Sequence, residues 1–450
     1  MFSKSHLFFL SPLFYIKMKI VINKGKCKIV PNPPSPVASV IDKHLSYEKQ
    51  GARFMPNPRW GMVHLYNERS ATFPAGYLED VKDIIKQYYE YKKVDEDIEV
   101  VNENHHSNVE KCYTPPKTTL RDYQLEAVET FLNHKRGILA LATGLGKTLT
   151  AVHLIHRLGV RALIITHTTE LLKQWVNVID RELGFKSGIY NGTKKELKDI
   201  TVASIQTLHK FKHILKNFDF IIYDECHHIS ADMMYKTGLD LTQEYVLGLS
   251  ATPYRSDNND MKIKAIGGEI IYRKNIRWGI DNGYLCPAEV KWIKVDDDIE
   301  IDRYDVYAQV YNKKIVYNDK RNAEIVKQAL SYDGKILILV SRIEHGEAIL
   351  NLLEGHDVVF LQGNTKDKQT TSKIIIATTI FDEGIDLPDR EIIILAGGGK
   401  SSVTTVQRIG RVLRLFPGKE KAIIIDFIED CKYLKNHYKE RKKIYEIELE

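Results

Sequence analysis

The run Leu141–Thr148, which reads LATGLGKT, combines glycines with a lysine and a threonine at a spacing that suits phosphate binding. The apolar run GILALA before it predicts a buried strand, and TLTAVHLIHRLG after it has the period of a helix. In a strand–loop–helix of this kind, Gly144 and Gly146 let the backbone approach phosphate, Lys147 neutralises phosphate oxygens, and the threonine hydroxyl binds Mg²⁺. Leucine replaces the first glycine of the GxxxxGKS/T pattern, but the flanks favour a nucleotide site over a chance GKT in a turn.

A second strand-like run, FDFIIYD, ends in two adjacent acids, Asp224 and Glu225. Buried carboxylates are costly unless they meet a metal or a hydrogen-bond donor. Asp224 suits either a direct ligand of Mg²⁺ or a neighbour of its ligands, and Glu225 suits the general base that orients an attacking water. The next residues, Cys226, His227 and His228, are consecutive and lack the spacing of a structural zinc site, so we expect no zinc.

Two arginines, Arg411 and Arg414, lie far along the chain in the run QRIGRVLR. An arginine that stabilises the transferring phosphoryl group is worth roughly 10³ to 10⁵ in rate. If they have this role, the nucleotide binds between two domains, and closure of the domains completes the site. The alternative is that GRVLR is a solvated basic helix face.

The elements that must position these residues form two series of apolar runs that alternate with helical patterns, as in βαβ units with a parallel sheet. The first series lies between Gly137 and Ser250 and comprises GILALA, ALIIT, ITVAS, FDFIIYD and YVLGLS. The second lies between Lys335 and Phe427 and comprises KILILV, DVVFLQ, KIIIAT, REIIILA and KAIIIDF. Two series of comparable size predict two stacked α/β domains.

We divide the chain into a small N-terminal domain (1–100), a linker (101–117), a first α/β domain (118–285) and a second (286–450). The polar run VDEDIEVVNENHHSNVEKCYTPPKTT, which begins at Val94, is interpreted as the linker. Between the two series, Tyr304, Tyr307 and Tyr311 have helical spacing, which favours packing within their domain over a base-stacking platform.

Length and composition indicate a multi-domain globular protein: 450 residues, 43% hydrophobic and 28% charged, with a net charge of +6 that permits a polyanionic partner. The apolar stretch 7–16 is too short to span a bilayer; the alternatives are a weak signal peptide or a natural start at Met18. The cysteines lack CxxC pairs, which favours a reducing, cytoplasmic location over a disulfide framework. They are Cys27, Cys112, Cys226, Cys286 and Cys431.

With ATGLGKT upstream, the run DECH at Asp224–His227 resembles the DEAD/DEAH-box group of superfamily 2 helicases. Other motifs of that group follow in order over residues 120–415: LRDYQLEAV, THTTELLKQW, SIQTL, SATP, VSR, ATTIFDEGIDLPD and QRIGRVLR. The resemblance implies two tandem RecA-like parallel-sheet domains, here preceded by a small α+β domain, with ATP and Mg²⁺ as cofactors. The segments ATPYRSD, NGYLCPAEV and QRIGRVLR together are most similar to phage recombination and branch-migration helicases of the UvsW type. The segment FPAGYLEDVKDII resembles the small domain that precedes the motor in that group, and the resemblance implies DNA as the substrate.

The resemblance also implies roles for individual residues. The nucleotide contacts are Gln124, as the adenine contact, and Thr143, Gly144, Gly146, Lys147, Thr148, Gly384 and Asp386. The Mg²⁺ ligands are Thr148 and Asp224, and the catalytic set is Lys147, Asp224, Glu225, Gln407, Arg411 and Arg414. Contacts to the nucleic-acid backbone fall on Thr168, Gln206, Thr207, Ser341, Arg342 and Thr378. The residues implied to couple ATP hydrolysis to movement are His227, Ser250 and Thr252.

The sequence therefore predicts an ATP-dependent helicase or translocase that unwinds or branch-migrates forked and junction DNA. Three alternatives stay open: an RNA helicase of the same superfamily, a translocase subunit of a restriction system, and a nucleotide-gated clamp that does not separate strands. The N-terminal domain or the segment 255–330 is expected to carry the strand-separating wedge. The basic run Lys432–Lys443 either attracts phosphates or is a solvated terminal helix.

Overall fold

The computed structural model describes residues 15–49, 52, 55–104, 110–227, 231–251, 260–362, 371–378, 387–399 and 408–449. In these ranges the strands form sheets of four, seven and six strands and a two-stranded ribbon. All strand pairs of the two larger sheets are parallel. Two parallel-sheet domains that follow a small α+β region confirm the predicted α/β class.

The N-terminal region contains one mixed sheet, one ribbon and two helices. Its strands are β1 (Tyr15–Asn23), β2 (Lys26–Val30), β3 (Ser46–Glu48), β4 (Met62–His64), β5 (Thr72–Pro74) and β6 (Asp95–Asn102). Its helices are α1 (Ser35–His44) and α2 (Leu78–Lys92), with 3₁₀ turns at Pro58–Gly61 and Ala75–Tyr77. The sheet order is β5–β2–β1–β6, while β3 and β4 pair separately. The buried apolar residues of both helices pack on the sheet in one core.

The linker prediction for the polar run that begins at Val94 is wrong for the first part of that run. Residues 95–102 form β6, which pairs in parallel with β1 over eight residues. The acids that made the run look like a loop stand opposite lysines of β1: Glu99 lies 3.1 Å from Lys19 and 3.7 Å from Lys17. Cross-strand charge pairing therefore makes this acidic segment compatible with a sheet edge.

The seven-stranded sheet forms the first α/β domain. Its strands are β7 (Arg136–Leu141), β8 (Ala162–Thr166), β9 (Gly188–Tyr190), β10 (Ile200–Ser204), β11 (Phe220–Tyr223), β12 (Tyr245–Ser250) and β13 (Ile270–Lys274). Its helices are α3 (Asp122–His134), α4 (Lys147–Leu158), α5 (Thr169–Leu183), α6 (Ile205–Leu208), α7 (Ala231–Gly238), α8 (Asp260–Gly267) and α9 (Ile276–Asp281), with a 3₁₀ helix at Lys212–Asn217. The order β13–β7–β12–β11–β8–β10–β9 places the strand before LATGLGKT next to the one before SATP. Because all these strands are parallel, the loops after them meet at one edge, where ligands bind in open α/β sheets.

The six-stranded sheet forms the second α/β domain, in the order β14–β19–β18–β15–β17–β16. Its strands are β14 (Ala288–Lys294), β15 (Ile336–Leu339), β16 (Val358–Leu361), β17 (Ile374–Ala377), β18 (Ile392–Ile394) and β19 (Ala422–Ile428). Its helices are α10 (Tyr307–Tyr311), α11 (Asp319–Leu330), α12 (Ile343–Leu352) and α13 (Leu434–Glu448), with a π-helix at Asn312–Val316 and a helical turn at residues 408–412.

A buried apolar cluster joins the two α/β domains beside the loop after β7. Leu141 and Leu145 of the first domain share this cluster with Val412 and Leu413 of the second. The backbone N–H of Cys286 donates to the carbonyl of Leu413 at 2.7 Å, close to the point where the chain crosses between the sheets. The turn 408–412 is therefore anchored next to the loop between β7 and α4.

The N-terminal region is docked on helix α8 of the first α/β domain. The Tyr77 hydroxyl donates to the carbonyl of Met261 at 3.0 Å, and Lys264 pairs with Asp80 at 2.7 Å. Ala265 of α8 belongs to the buried core of the N-terminal region. Apolar and ionic contacts thus join the two units.

The structure bears on two segments for which the sequence left alternatives, the three tyrosines between the sheets and the basic terminal run. Tyr311 is buried and donates to the carbonyl of Gly397 at 2.6 Å, as a packing role predicts, but Tyr304 and Tyr307 are 74% and 42% exposed. In the basic terminal helix α13, Arg441 is buried and lies 2.9 Å from Asp426, so this helix is not wholly solvated. No helix within the described ranges is both long and apolar enough to cross a membrane.

Candidate active site

The phosphate loop runs from the end of β7 to the start of α4 at Lys147. Gly144 and Gly146 have φ of 93° and 79°, in the left-handed region that disfavours residues with a Cβ. Gly146 is the N-cap of α4, so no side chain caps the first turn of this twelve-residue helix. An uncapped helix N-terminus behind a glycine loop presents N–H groups and a positive dipole end to an anion. The local geometry fits a bound phosphate, as predicted from the sequence.

Helix α3 holds this loop from behind. The Tyr123 hydroxyl and the Nε2 of Gln124 both donate to the carbonyl of Leu145, at 2.9 and 3.1 Å. The Oε1 of Gln124 accepts the backbone N–H of Arg121 at 2.9 Å. Gln124 is only 3% exposed, so its side chain fixes the loop. The adenine contact that the resemblance implied for Gln124 stays a prediction.

Lys147 and Glu225 form an ion pair across the site. The Nζ of Lys147 lies 3.3 Å from Oε1 of Glu225, and both side chains are largely buried. Glu225 has a φ of 44°, a left-handed conformation that costs a residue with a Cβ about 1–3 kcal/mol. The lysine that is predicted to bind phosphate and the predicted general base are thus in direct contact.

Asp224 follows β11 and is almost fully buried. Its Oδ2 accepts the indole N–H of Trp175 at 2.7 Å, and its Oδ1 accepts the backbone N–H of Glu225 at 3.0 Å. Burial, and next the charge of Glu225, raise the pKa of Asp224 to about 6, although Trp175 and Lys147 oppose the shift. A buried carboxylate whose negative charge is disfavoured gains most from a cation, so Asp224 fits the Mg²⁺ that the sequence predicts here.

Two residues that the sequence assigned to coupling are hydrogen-bonded to each other. The Nδ1 of His227 lies 2.7 Å from Oγ of Ser250 and 3.5 Å from Oε2 of Glu225, and all three side chains are buried or nearly so. This contact links the ends of β11 and β12 beside Glu225, the predicted general base. Thr252, the third coupling residue, lies outside the described residues. Over the described part of the chain, no group of three or more His, Cys, Asp or Glu side chains is arranged to hold a metal ion.

The arginine-bearing turn of the second domain packs on the phosphate loop. A Cβ placed on Gly144 would lie 3.4 Å from Cγ of Arg414, and one placed on Gly410 would lie 2.8 Å from Cβ of Thr143. Arg411 is half-buried on the same turn. The structure therefore brings Arg414 to the loop that carries Lys147, whereas Gly384, Asp386 and Gln407 lie outside the described residues.

The first group of predicted nucleic-acid contacts follows β8 and β10, at the same edge as the phosphate loop. Thr168 caps α5, because its Oγ1 accepts the backbone N–H of Leu171 at 3.2 Å. Gln206 is exposed and donates to the carbonyl of His167 at 3.0 Å. Thr207 is buried, and its Oγ1 lies 3.2 Å from the Ser204 hydroxyl. Their positions at this edge are compatible with strand binding, which stays a prediction.

The second group lies at the corresponding edge of the other sheet. Ser341 and Arg342 follow β15, and Thr378 follows the neighbouring strand β17. Arg342 is exposed at the start of α12, whereas Thr378 is almost buried and its N–H donates to the carbonyl of Leu361 at 3.3 Å. Contact of these three residues with a nucleic acid also stays a prediction.

Sequence reasoning missed Trp175 as a member of the site. The apolar spacing of Leu172, Trp175 and Ile179 on α5 indicates a buried helix face, and all three are buried. Nothing in that periodicity shows that the indole N–H reaches Asp224. The one available signal was chemical, because a buried tryptophan requires an acceptor for its N–H.

Two family models match the sequence. The type III restriction enzyme res subunit matches residues 117–255, and the helicase conserved C-terminal domain matches residues 321–416. The first range contains the phosphate loop and the acid pair, and the second contains the arginine-bearing turn. The matched ranges thus coincide with the two halves of the site.

Known proteins with similar sequences include the DNA 3'-5' translocase XPB2 of Sulfurisphaera tokodaii, 27% identical over 394 residues, which cover 76% of this chain and 88% of that protein. The putative DNA 3'-5' helicase Rad25 of Halobacterium salinarum is 30% identical over 333 residues, which cover 68% of this chain and 54% of that protein. Among solved structures, the crystal structure of T4 UvsW aligns with 96% of this chain and 98% of its own, at 21% identity and a TM-score of 0.48. The chain spans most of the first relative and about half of the second.

Proposed function

We propose that this chain is an ATP-dependent helicase of superfamily 2 that unwinds or branch-migrates forked and junction DNA by closing two domains around one ATP. The XPB2 and Rad25 proteins described above both have names that specify DNA as the substrate. Forks and junctions are proposed because the motif resemblance points to recombination helicases.

The observation that carries the proposal is the contact of Arg414 with the phosphate loop. Gly144 belongs to the first α/β domain and Arg414 to the second, and a Cβ on Gly144 would stand 3.4 Å from Cγ of Arg414. An arginine so placed stabilises the negative charge that develops on a transferring phosphoryl group. Because that arginine comes from the other domain, turnover would depend on the distance between the domains.

The pair of Lys147 and Glu225 suggests how the site prepares for hydrolysis. A triphosphate offers Lys147 a partner with more negative charge than the carboxylate 3.3 Å away. Exchange of partners would release Glu225 to orient the attacking water. Thr148 and Asp224 would hold Mg²⁺, which supplies charge neutralisation at the phosphates when bound.

For the domain organisation, we propose a small N-terminal domain that ends with β6 at Asn102, a linker from there to residue 117, and two motor domains (118–285 and 286–450). Closing and opening of the motor domains would move the chain along a strand if each domain also holds that strand. We assign the holding contacts to hydroxyl, amide and guanidinium groups at the two sheet edges, which suit phosphate contact without base readout. These residues are Thr168, Gln206, Thr207, Ser341, Arg342 and Thr378.

A substrate panel tests the proposal. Phosphate release and strand separation are measured on forked DNA, a mobile four-way junction, linear duplex DNA and an RNA duplex, with Lys147→Ala as the inactive control. We expect ATP turnover stimulated by DNA, and separation or migration of the branched substrates only with active protein. Turnover without strand separation would favour a translocase or clamp, and stronger stimulation by RNA would contradict the choice of DNA.

A further inference from the structure

We propose that Trp175 is a positioning residue that holds the Asp224 carboxylate in the orientation that binds Mg²⁺. The proposal rests on the proposed function, because it assigns Asp224 to the metal of an ATP site. Trp175 lies on α5, outside the phosphate loop and outside the acid pair, and no step described above uses it.

The contact itself fixes the carboxylate. The indole N–H donates to Oδ2 of Asp224 at 2.7 Å, while Oδ1 accepts the backbone N–H of Glu225 at 3.0 Å. One donor on each oxygen defines the plane of the carboxylate as well as its position. Because Trp175 is 1% exposed and Asp224 is 4% exposed, solvent has little access with which to replace the indole.

The indole is itself held by its surroundings. Its ring packs in the buried core of the first α/β domain, together with Leu172 and Ile179 on the same helix face. A donor on a packed ring cannot move independently of its helix. Hydrogen bonds to metal-ligating carboxylates from such outer residues are typically worth 10- to 100-fold in metal affinity or activity.

Helix α5 also relates this contact to the predicted nucleic-acid edge. The helix begins at its Thr168 cap, and Trp175 lies seven residues further, about 10 Å along the axis. A nucleic-acid strand bound at the start of α5 would therefore contact the same helix whose Trp175 holds Asp224. The indole joins this segment to Asp224 of the acid pair.

The test compares Trp175→Phe, which keeps an aromatic ring and removes the N–H, with the wild-type chain. Binding of a fluorescent ATP analogue is titrated with Mg²⁺, and ATP turnover is titrated in parallel. We expect the Mg²⁺ concentration for half-maximal binding and turnover to rise at least about tenfold, while kcat at saturating Mg²⁺ changes much less. Trp292→Phe, the same substitution in the second domain, is the matched control and should leave the Mg²⁺ midpoint unchanged.

An unshifted Mg²⁺ midpoint in folded Trp175→Phe would overturn the proposal, and so would an equal shift in Trp292→Phe. If Trp175→Phe does not fold, benzothienylalanine at position 175 replaces only the N–H by sulfur and should give the same tenfold shift. The proposed function is tested separately, by measuring whether DNA stimulates ATP hydrolysis by the wild-type chain. The binding titration reports the Mg²⁺ midpoint even if the wild-type chain hydrolyses no ATP.

Discussion

Gly410→Ala should uncouple ATP binding from ATP hydrolysis. The added Cβ would stand 2.8 Å from Cβ of Thr143 and 3.4 Å from its carbonyl oxygen. Carbon atoms in contact prefer about 3.5–4.0 Å, so the turn 408–412 must withdraw from the phosphate loop by about 1 Å. Misplacement of catalytic groups by that distance costs about 10²-fold in rate. The activation free energy should therefore rise by about 2.7 kcal/mol.

The assay is steady-state phosphate release with saturating DNA and Mg²⁺·ATP. KM for ATP should change little, because the first α/β domain supplies the loop and Lys147, which Gly410→Ala leaves in place. The matched control is Gly192→Ala, where an added Cβ meets nothing within 4 Å. A kcat within about twofold of the wild-type value, in a variant with an unchanged melting temperature, would refute the argument that this packing is needed for turnover.

Three further changes test other parts of the site and fold. Glu225→Gln should still bind ATP and DNA but lose nearly all phosphate release, and normal turnover would remove Glu225 as the general base. Arg414→Ala should lower kcat by roughly 10³-fold or more with a smaller effect on nucleotide affinity, and an unchanged kcat would exclude it as the finger. Burial, and next the charge of Arg321, lower the pKa of His345 from 6.5 to about 3. Below pH 6.5, His345 therefore binds a proton in the unfolded chain but not in the folded chain, which lowers the free energy of unfolding. Between pH 7.5 and pH 5, urea unfolding should show that the wild-type chain loses about 2 kcal/mol more of this free energy than His345→Gln. Equal losses in the two chains would contradict this.

The parts of the molecule that depend on local sequence were predictable. The strand, glycine loop and helix around Lys147 follow from neighbouring residues, and so do the acids at the end of β11. The two parallel sheets follow from apolar runs long enough to be buried on both faces. In each case the pattern and the structure it specifies lie within a few residues of each other.

The parts that depend on distant contacts were not predictable in the same way. Strand β6 has the acidic composition of a linker, and the lysines that face it, Lys17 and Lys19 of β1, are far from it in the sequence. The indole of Trp175 finds Asp224 only after α5 and β11 are packed together. Gln124 was identified from its motif, but its hydrogen bond to Leu145 depends on how α3 meets the phosphate loop.

The docking of the N-terminal region on α8 fixes the position of that region relative to the predicted ATP site. Tyr77 and Asp80 attach that region to the same α/β domain that carries Lys147. A DNA segment bound by the N-terminal region would therefore stay at a constant distance from the ATP bound at Lys147. In the proposed mechanism the second α/β domain would be the part that moves, and the length of its movement would set how many base pairs pass in each cycle.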